Sequence, residues 1–262
     1  MLRYLKLYGN FVRFSLSRAL EFRADFYFRV FMDILFYGVN IAFYKLIFLH
    51  TGQLAGWRED QMMVFVAGYL VVDALNMTIF ANNMWWLPTY INRGDLDYYL
   101  IRPVSSLFFL TLRDFAANSF LNLIFSMGIL VWALHGLNGP VTFGGVVLYL
   151  ALLINGTFLY QCLRMLTVIP VFWLHSGRGF EQIYWSMTRF MERPDRIFTG
   201  WVGRILLSIL PFSLMASLPA RLFLERFSWV TLGHVSLVTV VFAGTVVLFW
   251  RAGLRAYSSA SS

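Results

Sequence analysis

From Trp229 to Trp250 the chain carries no charged side chain, and similar, nearly apolar runs cover residues 30–49, 62–81, 111–134 and 143–164. About 20 apolar residues are what a helix needs to cross a hydrocarbon core ~30 Å thick. Within that core every backbone N–H and C=O has to be satisfied inside the segment, which makes each run helical. Only 13% of the residues are charged and 59% are hydrophobic, where a soluble domain has about 25% charged. A soluble enzyme and a disordered linker are thereby excluded. So is a disulfide scaffold, because the single cysteine, Cys162, cannot form an intrachain bridge. The expected fold class is all-α, a polytopic membrane protein.

Six spans are expected: the five runs above and a fifth in chain order lying somewhere within 166–224. That stretch is ambiguous. Residues 143–174 are too long for one span and too short for two. The segment 175–200 is polar, and 201–224 is apolar but broken by Pro211 and Pro219. Before the first span, Arg3, Lys6, Asn10, Arg13 and Ser17 share one helical face opposite Leu2, Leu5, Tyr8, Phe11, Val12, Leu16 and Leu20. The pattern predicts an amphipathic helix lying in the membrane interface, within an N-terminal region 1–29; an ordinary surface helix packed on the bundle is the alternative. No cleavable signal is expected, since the long basic start lacks the short apolar core and small-residue cleavage site.

The net charge of +8 comes from 21 basic and 13 acidic residues. The basic side chains gather at the start, at Arg93, Arg102 and Arg113, and in the tail 251–262, while the loop 135–142 has no charge. This follows the positive-inside bias and not a nucleic-acid footprint. Both termini are expected on the cytoplasmic side of a bacterial plasma (inner) membrane, and no nucleic-acid partner is expected.

The connector 88–106 is the most informative segment. In it Gly94 can end a helix, Asp95 can cap the next one, Leu96, Tyr99 and Leu100 form an apolar stripe, and Pro103 stops it. A short amphipathic helix of this kind suits docking into a partner's groove, or else rests on the membrane as a solvated loop. Within the spans, Asp114, Asn118, Asn122 and Ser126 recur every four residues, Asp73 and Asn76 lie one turn apart, Asp33 and Asn40 sit in the first span and Asn155 in the fourth. Such groups either line a transport path or fix helix packing through interhelical hydrogen bonds. No acidic or basic cluster is evident within the spans, which argues against a highly charged cargo. Aromatic residues make up 19%, and Trp85, Trp86, Trp173, Trp185, Trp201, Trp229 and Trp250 fall near span ends as headgroup anchors. The chain has no Gly-x-x-x-x-Gly-Lys-Ser/Thr phosphate loop, its four histidines are scattered, and no metal site or catalytic residue can be argued.

The stretch Gly94-Asp95-Leu96-Asp97-Tyr98-Tyr99-Leu100-Ile101-Arg102-Pro103 resembles the link between the second and third spans of ABC-2-type exporter permeases, in a bacterial subgroup without a fused ATPase domain. The basic N-terminal helix, Phe172-Trp173, Leu210-Pro211-Phe212, Leu218-Pro219-Ala220 and the closing Trp250-Arg251-Ala252-Gly253-Leu254-Arg255-Ala256-Tyr257 extend the likeness over nearly the whole chain. The resemblance implies six helices and a second permease subunit, identical or related. It also implies two cytoplasmic ATPase subunits that hold ATP and Mg, so that this chain is not itself an enzyme and binds no cofactor. Arg93, Gly94, Asp95, Leu96, Asp97, Tyr98, Tyr99, Leu100, Arg102 and Pro103 would then form the ATPase-coupling segment. Asp73, Asn76, Asp114, Asn118 and Asn122 would line the path. Pro211 and Pro219 would lie in a hairpin re-entering from outside, with a fifth helix starting near Leu166 and Arg178 and Glu181 drawn into the membrane as a pair. Two readings from other classes are an ion-gradient-driven secondary transporter using Asp73 or Asp114, and a membrane scaffold without transport.

Overall fold

The computed structural model describes residues 2–19, 23–176, 178–225 and 227–257. Among them five helical runs are long and apolar enough to cross a membrane: Phe26–Phe48, Glu59–Arg93, Ala117–His135, Phe143–Leu174 and Trp229–Ala256. Helix α1 (Leu2–Ala19) precedes α2 (Arg23–Phe48). Helix α3 (Glu59–Asn76) occupies the centre of the bundle. Met62, Val64, Phe65, Ala67, Leu70, Val72 and Ala74 in α3 have 0% exposed surface. A helix apolar on all sides is one surrounded by other helices, and α3 packs against α2 and against the helical segments Ala117–His135, Phe143–Val168 and Ser217–Leu224.

Three boundaries differ from those expected. The second span does not stop at residue 81. It passes through a π-helical turn, Met77–Ala81, and continues as α4 (Asn82–Arg93), so the connector starts only at Gly94. The change to polar residues at Asn82 and Asn83 suggested an exit into water, but Asn83 is bonded to protein. Its amide donates to the Asp114 carbonyl at 2.9 Å, and its Oδ1 accepts from the Asp114 N–H at 3.0 Å. After the short helices α5 (Asp97–Leu100) and α6 (Ser106–Leu112), the third span, α7, runs Ala117–His135. Thr111 belongs to α6, and Asp114 to the bend before α7. The π turn explains that bend, because its freed Thr78 carbonyl accepts from the Ala116 N–H at 2.9 Å. The fourth span, α8 (Phe143–Val168), extends past Arg164 and turns at Pro170 into α9 (Val171–Leu174).

The expected sixth crossing is not a long helix. Residues 178–225 form α10 (Arg178–Thr188), an irregular stretch, α11 (Gly200–Ser208), a 3-10 turn (Phe212–Leu214) and α12 (Ser217–Leu224). Their route can be read from their contacts. Phe143, Asn138 and Asp60 share one end of the bundle, since the Asn138 N–H donates to Asp60 at 2.9 Å. Arg164 lies about 31 Å further along α8 at 1.5 Å per residue, and there it binds Glu181 at 3.0 Å. Glu181 therefore pairs with Arg164; the side chain of Arg178, the partner expected for it, lies outside the described residues. Tyr184 stacks on Tyr160 with ring centroids 5.7 Å apart, one turn up α8. The Glu192 carbonyl accepts from the Tyr44 hydroxyl at 2.5 Å. Arg196 then reaches Glu225 at 2.8 Å, and Glu225 accepts from Trp57 at 3.3 Å, next to the start of α3. The chain thus passes from one end of the bundle to the other between Glu181 and Arg196.

From that second end, residues 200–225 fold back between the helices. At Gly156, midway along α8, an added Cβ would overlap the Met215 carbonyl, so the hairpin backbone lies directly on the helix. Phe223 then stacks on Tyr149 at 5.1 Å on the return. Pro211 precedes the 3-10 turn, and Pro219 sits in the first turn of α12, where its missing N–H would have had no helical partner. Asp195 closes the hairpin by accepting from Ser217 at 2.7 Å and Arg221 at 2.6 Å. Helix α13 (Trp229–Ala256) completes the chain.

Candidate functional site

Two features stand out, a platform at the Arg93 end of the bundle and a cavity between the helices. In the platform Gly94 adopts φ 78°, the left-handed conformation that ends α4 and favours glycine. Leu96 follows with 0% exposure, inserted in a second core cluster with Met84, Leu87, Met165, Phe172 and Trp250. Tyr99 is partly buried, its ring 5.5 Å from Tyr90 and 5.6 Å from Phe109, and Arg113 donates to its hydroxyl and to that of Tyr90. The expected stripe is therefore corrected. Leu96 and Tyr99 face the protein, and the outward apolar residues are Tyr98 (67% exposed), Ile101 (81%) and Leu100 (38%). Asp95 does not cap α5, whose N-terminal residue of entry is Leu96 with no side-chain hydrogen bond. Arg93, Arg102 and Pro103 are exposed around this patch, and Asp95 and Asp97 are half-buried.

Helix α1 braces the platform. Tyr4 accepts from the Ser105 N–H at 3.2 Å, Tyr4 and Phe11 meet Phe108 and Phe109 edge-on, Ser15 accepts from the Phe115 N–H at 3.2 Å, and Arg18 binds Asp114 at 2.6 Å. Leu5, Phe14 and Leu16 remain exposed on the other sides. From the opposite flank, Trp250 of α13 donates to Ser106 at 3.2 Å.

The cavity has a volume of about 630 Å³ and lies between α2, α3, α7 and the 185–192 stretch. Asp73, Asn118 and Asn122 line it, together with Asp33 and Glu192. Asn122 donates to the Asp33 carboxylate. Tyr37, Tyr69, Tyr160, Trp85 and Trp185 supply aromatic wall. Asn76 is buried with its amide nitrogen unpartnered and does not line the cavity. Asp114 is not on the Asn118–Asn122 helical row. It lines a second cavity with Arg18, and the two cavities share Arg29, Asn82, Trp85 and Asn118.

The expectation of no charged cluster within the spans is also corrected, because Asp33, Asp73 and Glu192 come from three separate segments and meet only in the fold. Asp33 carried a signal as a carboxylate in an apolar run. Glu192 carried none, since it lies among the other charges of the polar segment. Among the described residues no group of three His, Cys, Asp or Glu is placed to hold a metal ion.

No curated protein and no solved structure matched the chain. A family model described as "ABC-2 family transporter protein" matches residues 34–261, from the first long helix through the hairpin to the tail. With its long apolar helices, this multi-pass membrane chain belongs to the ABC-2 family of transporter proteins.

Proposed function

We propose that this chain is the membrane-spanning permease subunit of an ATP-driven exporter. Two cytoplasmic ATPase subunits, which hold ATP and Mg, dock against the platform 88–106, and a second permease subunit, identical or related, completes the assembly among the membrane lipids. In this reading the protein sits in a bacterial inner membrane with both termini inside. Helix α1 lies in the inner interface, where exposed Leu5 and Phe14 meet lipid. The passage from Glu181 to Arg196 is the sixth crossing, made of the end of α10, hydrogen-bonded turns through Arg193 and the 3-10 turn Asp195–Ile197 in place of one long helix. Residues 200–225, with Pro211 and Pro219, form the hairpin that re-enters from outside. Asp73, Asn118 and Asn122 line the path.

The observation that carries the reading is the patch of Tyr98, Leu100 and Ile101, exposed on the surface yet anchored through buried Leu96, in a chain of this family. An anchored apolar bump of this kind can transmit a push, whereas a flexible loop would absorb it. In the reading, closure of the ATPases moves the platform and, through the continuous α3–α4 run, the wall of the cavity. The test is isolation of the protein from its own host in mild detergent. A stoichiometric companion with a Gly-x-x-x-x-Gly-Lys-Ser/Thr loop is expected, and recovery of the permease alone, folded and without ATPase activity, would overturn the assignment.

A further inference from the structure

The wall of the 630 Å³ cavity is unbalanced in charge and in hydrogen bonding. Arg29 and Arg189 line the same wall as Asp33 and Glu192. Asp73 differs, because among the described residues no ion pair reaches it and it shares the wall with the other two carboxylates. On the same wall, Asn122 is 2% exposed, donates to Asp33 and leaves its own Oδ1 buried without a partner. A buried acceptor without a donor is costly, and a carboxylate repelled by two others more so. Both costs are relieved by a ligand that brings positive charge and N–H donors together. Trp85, Trp185 and Tyr37 on the same wall offer ring faces suited to a cation and its apolar body. The volume lies in the range of pockets for small organic molecules.

We infer that this cavity binds an amphipathic organic ammonium ion, whose N–H groups are taken by Asp73 and the Asn122 Oδ1 and whose apolar body lies against Trp85, Trp185 and Tyr37. Naming that ion as cargo rests on the exporter reading; the binding itself does not. A quaternary cation lacks the donors that Asn122 requires, and an anion meets three carboxylates.

The test uses the full chain in neutral-lipid nanodiscs, without ATPase, and a matched pair of fluorescent probes. Dansylcadaverine carries a primary ammonium group, and its N-acetyl form keeps the same body without the charge. Empty nanodiscs correct for partitioning. The ammonium form is expected to bind at least about tenfold more tightly than the acetylated form. Asp73→Asn and Asn122→Ala should each remove most of that preference, and Glu59→Gln, outside the cavity, should keep it. Elution volume and melting midpoint identify folded variants, and Glu192→Gln replaces any that fails to fold. Equal affinity for the two probes, or a preference that survives Asp73→Asn in a folded protein, would overturn the inference. Loss of ammonium binding with ATPase coupling intact would sink this inference alone. Ammonium binding by a protein with no ATPase partner would sink the exporter reading alone.

Discussion

Leu96 and Ile101 are five residues apart in one short segment, yet their side chains have opposite surroundings: 0% exposure for the first, 81% for the second. Changing each in turn separates the stability of the platform from its docking. Leu96→Ala removes a fully buried side chain from the cluster around Met84, Leu87 and Trp250, which costs roughly 2–5 kcal/mol of stability. Ile101→Asp removes nothing from any core. If Ile101 is covered by the ATPase, burial of that side chain contributes about 1.5–3 kcal/mol to docking, so its loss weakens association by roughly 10- to 150-fold per site. Desolvation of the new carboxylate adds to this. The assay is a melting curve of the purified permease beside pull-down of the ATPase and transport-coupled ATP hydrolysis. Leu96→Ala should melt markedly lower, and Ile101→Asp should melt as wild type but lose ATPase binding and coupling. An Ile101→Asp protein that binds and couples normally would refute the docking argument. A Leu96→Ala protein with unchanged melting would refute the packing on which it stands.

Gly156→Val should push the hairpin off α8, lowering stability by about 1–3 kcal/mol and increasing protease cleavage within 200–225; an unchanged melting curve and digest would count against the close approach. Arg164 is buried, and its Nη1 already lacks a partner. Glu181→Gln should therefore destabilise the protein by roughly 1–3 kcal/mol, and adding Arg164→Met should restore most of it, as read by melting of the single and double variants. Cys162 is buried, so native protein should resist a membrane-impermeant maleimide. With Cys162→Ala as background, Gln53→Cys should label on intact cells and Arg102→Cys only after permeabilisation. The reverse pattern would invert the proposed orientation.

The long runs were legible because crossing a bilayer demands length and apolarity, which composition records directly. What was not legible follows from polar groups satisfied by protein where water was assumed. Asn83 looked like the end of a span because its bond to Asp114 reaches across 31 positions of sequence. The polar stretch around Glu181 and Glu192 resembled an aqueous loop, since neither the Arg164 bond nor the Tyr44 hydroxyl could be seen from spacing. Leu96 and Ile101 are both apolar, and hydropathy alone does not say which of them the turn after Gly94 directs inward. The cavity shows the same limit. Asp73, Asn118 and Asn122 were evident as costly groups in apolar runs, whereas their meeting with Asp33 and Glu192 depends on how four segments pack.

The π turn at Met77–Ala81 lies in a continuous helical rod that joins cavity and platform. Such a turn amounts to a single residue added to a regular helix, and each residue of a regular helix advances the face by about 100°. Removing one residue there would let the ladder close, while rotating everything from Asn82 onward by roughly that angle relative to Asp73. Leu96 would leave its core cluster and Asn83 would lose Asp114, though neither side chain had been altered. The relative phase of the two sites is thus stored as one extra residue, and a one-codon deletion would test it more severely than any substitution within either.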